Sequence, residues 1–126
     1  MKIITGTVII TVIIFMFSFY SVSVLAQTTE DMTTILEKVE KAVLEHNWEL
    51  AKLSMDEFEK HWDKKNFVWS LLIEHSEIDN IDISICHIKS YMKLQELTET
   101  YVEVKTLFKY LKHIPEIEKL TIQNLL

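Results

Sequence analysis

The sequence predicts an all-α protein, in which an N-terminal transmembrane or signal-anchor helix precedes an antiparallel bundle of about four helices with a short C-terminal helix. Three observations support this fold class. Residues 3–26 carry no charge, whereas all 19 acidic residues lie beyond them. The chain has one glycine and one proline, too few for the many turns of a β-protein. Apolar residues in the charged part recur at helical spacing.

The uncharged N-terminal segment is long enough for a membrane span. A spanning helix needs about 20 residues, and the apolar part of a secretory signal has roughly 7 to 15. The length therefore favours a retained anchor, residues 1–26, before an extracytoplasmic acidic bundle, residues 27–126. Lys2 places the N-terminus in the cytoplasm. Val24 and Ala26 are small residues where a signal peptidase reads, so cleavage after Ala26, giving a secreted protein, remains the alternative.

The charge balance argues against nucleic acid as a partner. The chain contains no arginine and has a formal net charge of −6, so it lacks the basic footprint of a phosphate-binding protein. Its single cysteine, Cys86, cannot form an internal disulfide, and the body must be held together by packing.

Apolar spacing divides the body into helices. The first is predicted over residues 30–46, and Asn47 is a suitable N-cap for the second. The apolar phase shifts after Trp62, which predicts a corner at Asp63–Asn66, followed by a third helix over residues 67–94. The alternative is one helix from Trp48 to Gln95 that contains a stutter.

A fourth helix is expected around a capping box formed by Thr100 and Glu103. Pro115 should end it and begin the short last helix, Glu116–Leu125. The predicted corner would bring two tryptophans together at the end of a helical hairpin. The residues predicted to form the core or an interaction surface are Trp48, Phe58, Trp62, Trp69, His75 and Ile78.

A metal site on the third helix is the alternative interpretation of its polar residues. His75 and Asp79 share one helix face, and Asp82 and Cys86 follow round the same side. No HExxH, CxxC, paired ExxH or EF-hand pattern accompanies them. His75 is instead expected in the core, hydrogen-bonded to Asp79. Without a nucleophile–base pair or a glycine-rich loop, we expect no enzyme and no cofactor.

Three segments resemble a known family: "NWELAKLSMDEFEKHW", "LLIEHSEIDNID" and the terminal "TIQNLL". They are similar to the family called domain of unknown function 4363 (DUF4363), and the resemblance covers nearly the whole chain. The positions that match its loose pattern are Trp48, Trp62, His75, Glu77, Ile78 and Asn124. The resemblance implies a small bacterial membrane-associated protein without an established activity, often encoded beside a multi-pass membrane protein of another uncharacterised family, and hence an accessory role.

Two functions are consistent with these features. The first is a binding module: a single-pass protein that holds an acidic helical bundle outside the cytoplasm, where it contacts a membrane or envelope protein and can also self-associate. The second is a metal or redox sensor that uses the face of His75, Asp79 and Cys86.

Overall fold

Residues 1–125 fold into four α-helices joined by short connections. In the computed structural model these are α1 (Lys2–Leu44), α2 (Trp48–Leu72), α3 (His75–Lys93) and α4 (Leu97–Leu125). The structure describes the backbone of residues 1–125 and their side chains except at positions 22, 25, 72 and 115–125. No strand occurs within residues 1–125. The predicted all-α bundle is confirmed.

The helices run up and down because connections of two or three residues can only join antiparallel neighbours. Each helix packs against two others: α1 against α2 and α4, and α3 against α4 and α2. The α2–α3 seam is the least extensive of these four. The core is built from the inward apolar stripes, and its largest fully buried side chains are Met32, Leu36, Met55, Phe58, Trp62, Trp69, Ile81, Ile88, Leu107, Leu111 and Ile114.

The same backbone motif ends α1 and α3 without glycine. The amide of Asn47 donates to the carbonyl of Ala42, and that of Glu96 to Tyr91, both spanning five residues. The residues before them, His46 and Gln95, have φ angles of 57° and 54°. These bonds define a Schellman motif, whose left-handed position is usually glycine. Asn47 then caps α2, as predicted, by accepting a hydrogen bond from the Leu50 amide at 3.2 Å.

The predicted corner at Asp63–Asn66 is wrong, and so is the single helix from Trp48 to Gln95. α2 continues to Leu72, and the chain turns at residues 73–74, where Ile73 is extended with φ −130° and ψ 165°. Trp62 and Trp69 do meet, with ring centroids 5.3 Å apart, but as residues two turns apart on one helix. The phase shift was an artefact of two apolar residues, Phe67 and Leu71, which are 72% and 71% exposed.

Two predictions about α4 are also wrong. The helix runs to Leu125 across Pro115, so no separate C-terminal helix exists among the described residues. Thr100 does not cap a helix start, because α4 begins at Leu97. Thr100 is buried, and its hydroxyl donates to the Glu96 carbonyl at 2.6 Å, a bond one turn back along the helix.

The uncharged segment and the first bundle helix form one helix, which begins well before the predicted residue 30. Within α1, the large apolar side chains from Ile3 to Tyr20 are mostly exposed, whereas Thr28, Thr29 and the apolar positions from Met32 to Val43 are buried. Among the described residues, one helix, α1, is both long enough and apolar enough to cross a membrane. A signal sequence would meet the same criterion.

Candidate functional site

A groove lies between α2 and α3, and residues of both helices line it. It has a larger part of about 600 Å³ near the start of α2 and a smaller part of about 390 Å³ at mid-helix. The two parts share Lys89 and Ser90, so we treat them as one surface, the α2–α3 groove. It follows the seam where these helices pack least extensively.

The larger part of the groove combines an apolar floor with a charged rim. Met55 and Met92 are buried in its floor, and half-buried Trp48 closes one end. Lys52 and Lys93 lie on the rim and are exposed. Unbranched methionine side chains adapt to different partner shapes, and a mixed-charge rim can orient what binds. This chemistry suits a segment of another protein.

One ion pair crosses the smaller part of the groove. Lys89 Nζ lies 3.2 Å from Glu59 Oε1, to which it donates a hydrogen bond, and 2.9 Å from Glu59 Oε2. The hydrogen bond with Glu59 raises the pKa of Lys89 above 10.5, against the lowering effect of partial desolvation. The pair ties α3 to α2 across the least extensive of the four helix–helix seams.

Nearer the α2–α3 turn than this ion pair, a tryptophan of α2 is hydrogen-bonded to α3. Trp62 Nε1 donates a hydrogen bond to Asp82 Oδ1 at 2.6 Å, while its ring packs edge-on against Trp69 at an interplanar angle of 89°. Trp69 is fully buried, and its Nε1 has no hydrogen-bond partner among the side chains that the structure describes. Trp62 lines the smaller part of the groove, and Trp69 supports its ring from within the core.

The predicted core residues fall into three groups. Phe58, Trp62, Trp69 and Ile78 are buried in the core, whereas Trp48 is half-buried in the groove. The prediction of a core histidine is wrong: His75 is the first residue of α3 and is exposed. His75 directly follows Glu74, which has an extended backbone, so it lies at the end of α3 and its side chain is not packed in the core.

The residues of the possible metal site do not converge. Asp79, Asp82 and Cys86 are exposed, and Asp82 is engaged by Trp62. Among the described side chains, no three from histidine, cysteine, aspartate and glutamate are grouped closely enough to hold a metal ion.

Sequence reasoning missed the groove itself. Glu59 and Lys89 are separated by 30 positions, and no local pattern pairs residues so distant in the chain. Met55 and Met92 fit helical core stripes, which gave no sign that they would meet at an incompletely closed seam. The only available signal was the excess of polar residues on the facing sides of α2 and α3.

Comparison with known proteins identifies the family and nothing more specific. No curated protein matches the chain, and no solved structure matches it. A family model does match, over residues 19–125, and it covers the second half of α1 and the rest of the bundle. The chain therefore belongs to the family described as domain of unknown function (DUF4363).

Proposed function

We propose that this protein is a single-pass, membrane-anchored accessory protein whose extracytoplasmic bundle binds another membrane or envelope protein through the α2–α3 groove. The observation that carries the proposal is the continuity of α1. The N-terminal half of α1 is an exposed apolar helix outside the bundle. It continues without a break into the C-terminal half, which is buried in the bundle core. The continuous helix thereby keeps the groove at a set distance from whatever surrounds the apolar half of α1.

Lipid is the environment that best suits the first half of α1. Ile3, Ile10 and Phe17 are 85%, 60% and 63% exposed, and no described part of the bundle covers them. Exposed apolar surface of this extent marks a membrane or a protein interface. Residues 3–26 give a helix of about 36 Å at about 1.5 Å per residue, which spans a hydrocarbon layer of about 30 Å.

The orientation follows from the distribution of charge. Lys2 flanks the apolar half of α1 on its short side, and a basic residue there favours the cytoplasm. The acidic bundle then lies outside the cytoplasm. A multi-pass membrane protein is the partner we propose, because such a protein offers short external segments next to the membrane in which α1 is anchored.

The groove supports binding of a short helix or extended segment. Its floor offers Met55 and Met92, and its rim offers Lys52, Lys93 and Asp56. Helix-in-groove recognition uses an apolar floor for anchoring side chains and polar edges for orientation. The rim also carries Glu49, so its carboxylates and lysines together favour a segment that bears charges of both signs.

Site-specific photo-crosslinking in native membranes tests this proposal. A photoreactive residue at Lys93, on the groove rim, should yield a crosslink to a multi-pass membrane protein. The matched control is the same residue at Lys38, which is exposed on α1 outside the groove. Identical crosslinks from both positions, or crosslinks only between copies of this chain, would refute docking through the groove.

The alternative function is a metal or redox sensor. The exposed thiol of Cys86 is the observation in its favour, because a thiol must be accessible to react. If His75, Asp79, Asp82 or Cys86 binds zinc, the melting temperature should rise with zinc, and His75→Ala should abolish the rise. An unchanged melting temperature at excess zinc would remove the metal form of this alternative.

A further inference from the structure

A second uncovered apolar patch lies on the outer face of α2, close to its C-terminal end. We call the set Lys64, Lys65, Phe67, Val68 and Leu71 the α2 patch. Phe67, Val68 and Leu71 are 72%, 41% and 71% exposed, and both lysines are exposed. Lys64, Phe67, Val68 and Leu71 follow one another at helical spacing and so form a single outward stripe.

The helix lengths set the height of the α2 patch on the molecule. Leu71 lies 23 residues along α2 from Trp48, or about 35 Å at about 1.5 Å per residue. Since α1 and α2 are antiparallel and joined by a tight turn at residues 45–47, the same distance back from Leu44 reaches Ser21. Ser21 is buried, which agrees with a bundle that extends to this level. Leu71 and Phe67 are therefore level with residues 21–25 of α1.

That level coincides with the end of the uncharged part of α1. Residues 3–26 form a helix about 36 Å long, whereas the hydrocarbon core of a bilayer is about 30 Å thick. The last turn or two of this segment consequently falls in the headgroup layer. If α1 is anchored as proposed, the bundle therefore lies close to the membrane, with its α2–α3 turn at the level of the bilayer surface.

The composition of the α2 patch fits that layer. Phe67 and Leu71 can enter the boundary between headgroups and acyl chains, as aromatic and aliphatic side chains of interfacial helices do. Lys64 and Lys65 lie about two turns farther from the membrane, where their ammonium groups can meet lipid phosphates. Exposed Glu74 in the turn limits the depth, because a carboxylate must remain hydrated.

We propose that the α2 patch is a second membrane contact, which binds the interfacial layer of the bilayer that α1 crosses. This inference rests on the proposed anchoring by α1. A single helix leaves the bundle free to rotate and tilt, whereas two contacts fix both motions. The α2 patch would thus determine the direction in which the α2–α3 groove faces along the membrane surface.

Depth measurements on the full-length protein in vesicles test the proposal. In a Cys86→Ser background, a fluorescent probe is attached to one introduced cysteine: Phe67→Cys, Leu71→Cys, Ile10→Cys or Leu53→Cys. Leu53 is the matched control, because it is 61% exposed on the same outward stripe of α2 but about 21 Å from Phe67 along the helix. Quenching by nitroxide lipids and by aqueous iodide is compared in phosphatidylcholine vesicles with and without phosphatidylglycerol.

The expected result is graded. Nitroxides deep in the acyl chains should quench the probe at position 10, shallow nitroxides should quench those at 67 and 71, and iodide alone should quench the probe at 53. Lys64→Glu with Lys65→Glu should reduce shallow quenching at position 67 severalfold in vesicles that contain phosphatidylglycerol, and should leave position 10 unchanged.

The probe at position 10 separates the two proposals. If it is deep while positions 67 and 71 are quenched by iodide alone, the α2 patch proposal is overturned and the anchor stands. If position 10 is quenched by iodide, the anchor itself fails and the patch proposal fails with it. If positions 67 and 71 are shielded from both quenchers, a second copy of the chain covers the patch, and the lipid proposal is again overturned.

Discussion

Two tryptophans of equal burial have opposite hydrogen-bonding states. Trp62 and Trp69 are 1% and 0% exposed and lie two turns apart on α2. The indole N–H of Trp62 donates to Asp82, whereas that of Trp69 has no partner in the described part of the chain. A buried donor without a partner costs about 1 to 3 kcal/mol, and a hydrogen bond to a charged group contributes about 1.5 to 3 kcal/mol. The same side chain therefore has different energetic value at the two positions.

We expect Trp62→Phe to destabilise the protein by about 1 to 2 kcal/mol more than Trp69→Phe. Both substitutions remove the same ring volume, so the packing losses are similar. Only Trp62→Phe breaks a bond, whereas Trp69→Phe removes an unpaired donor. Urea unfolding of the full-length protein in mild detergent, followed by circular dichroism, measures the difference.

Asp82→Ala provides the control for this comparison. If the bond carries the effect, Asp82→Ala should lose part of the same free energy of unfolding, and combining it with Trp62→Phe should add little more. Equal costs for the two tryptophan substitutions, or full additivity with Asp82→Ala, would contradict this account.

At the scale of helices, the two Schellman motifs carry backbone strain at non-glycine residues. His46 and Gln95 occupy the left-handed region, which is unfavourable for a residue with a Cβ atom by about 1 to 2 kcal/mol. We expect His46→Gly and Gln95→Gly each to raise the free energy of unfolding by about 0.5 to 1 kcal/mol, since the higher chain entropy of glycine offsets part of the relief. Thermal unfolding should show a higher Tm.

The adjacent residue supplies the matched control. Leu94 is exposed and has a right-handed helical backbone, with φ −89°. Leu94→Gly should therefore lower the free energy of unfolding, by about 0.5 to 1 kcal/mol. If glycine is destabilising at positions 94 and 95 alike, strain in the left-handed residue does not limit stability.

The ion pair between α2 and α3 should weaken at high pH. The pKa of Lys89 is raised in the fold, mainly by its hydrogen bond with Glu59. Its stabilising contribution is therefore complete below the unfolded pKa of 10.5 and is lost as the pH rises through the higher folded pKa. Both side chains are partly exposed, so we expect a contribution below about 1 kcal/mol.

Glu59→Gln measures this contribution. The gap in unfolding free energy between wild type and Glu59→Gln should be constant at neutral pH, shrink as the pH rises from about 10.5 through the folded pKa of Lys89, and be lost above it. Glu57→Gln changes an exposed carboxylate on the same helix and should show no such alkaline dependence. A gap that does not vary with pH would indicate that Glu59 acts through packing.

The sequence predicted helical content well and helix boundaries poorly, for a physical reason. Scarcity of glycine and proline and the spacing of apolar residues are local properties, and they were sufficient for an all-α bundle. The corner was misplaced because exposed Phe67 and Leu71 looked like core residues, although Trp69 continues the true buried stripe. The turns after α1 and α3 contain no glycine to mark them, because His46 and Gln95 occupy the left-handed conformation that glycine usually adopts there.

The candidate site was less predictable than the fold. The groove depends on how closely two helices approach, and that distance follows from contacts between residues far apart in the chain, such as Glu59 with Lys89. His75 was expected in the core because its spacing matched the stripe of α3. Its exposure follows from the helix starting at that residue, a boundary that spacing alone does not locate.

For the whole molecule, the unbroken α1 bears on whether the N-terminal segment is retained. The cleavage motif ends at Ala26, inside α1, and buried Thr28 and Thr29 begin one residue beyond Gln27. A peptidase must bind its site as an extended chain. Cleavage after Ala26 would therefore require the helix to unwind next to the packed bundle, with loss of its hydrogen bonds.

We expect residues 1–26 to remain attached and the protein to stay in the membrane fraction. Intact-mass spectrometry of protein purified from membranes measures this directly, and a mature chain that starts at Gln27 would contradict the prediction.

Ser23→Pro tests whether the helix is what protects the cleavage site, because proline in the helix interior breaks the helix at a cost of about 3 kcal/mol. Ser23 is exposed, so this substitution should free the site with little damage to the core. If the helix protects the site, the variant should be cleaved and released; if it is retained as well, the length of the apolar segment is what prevents cleavage.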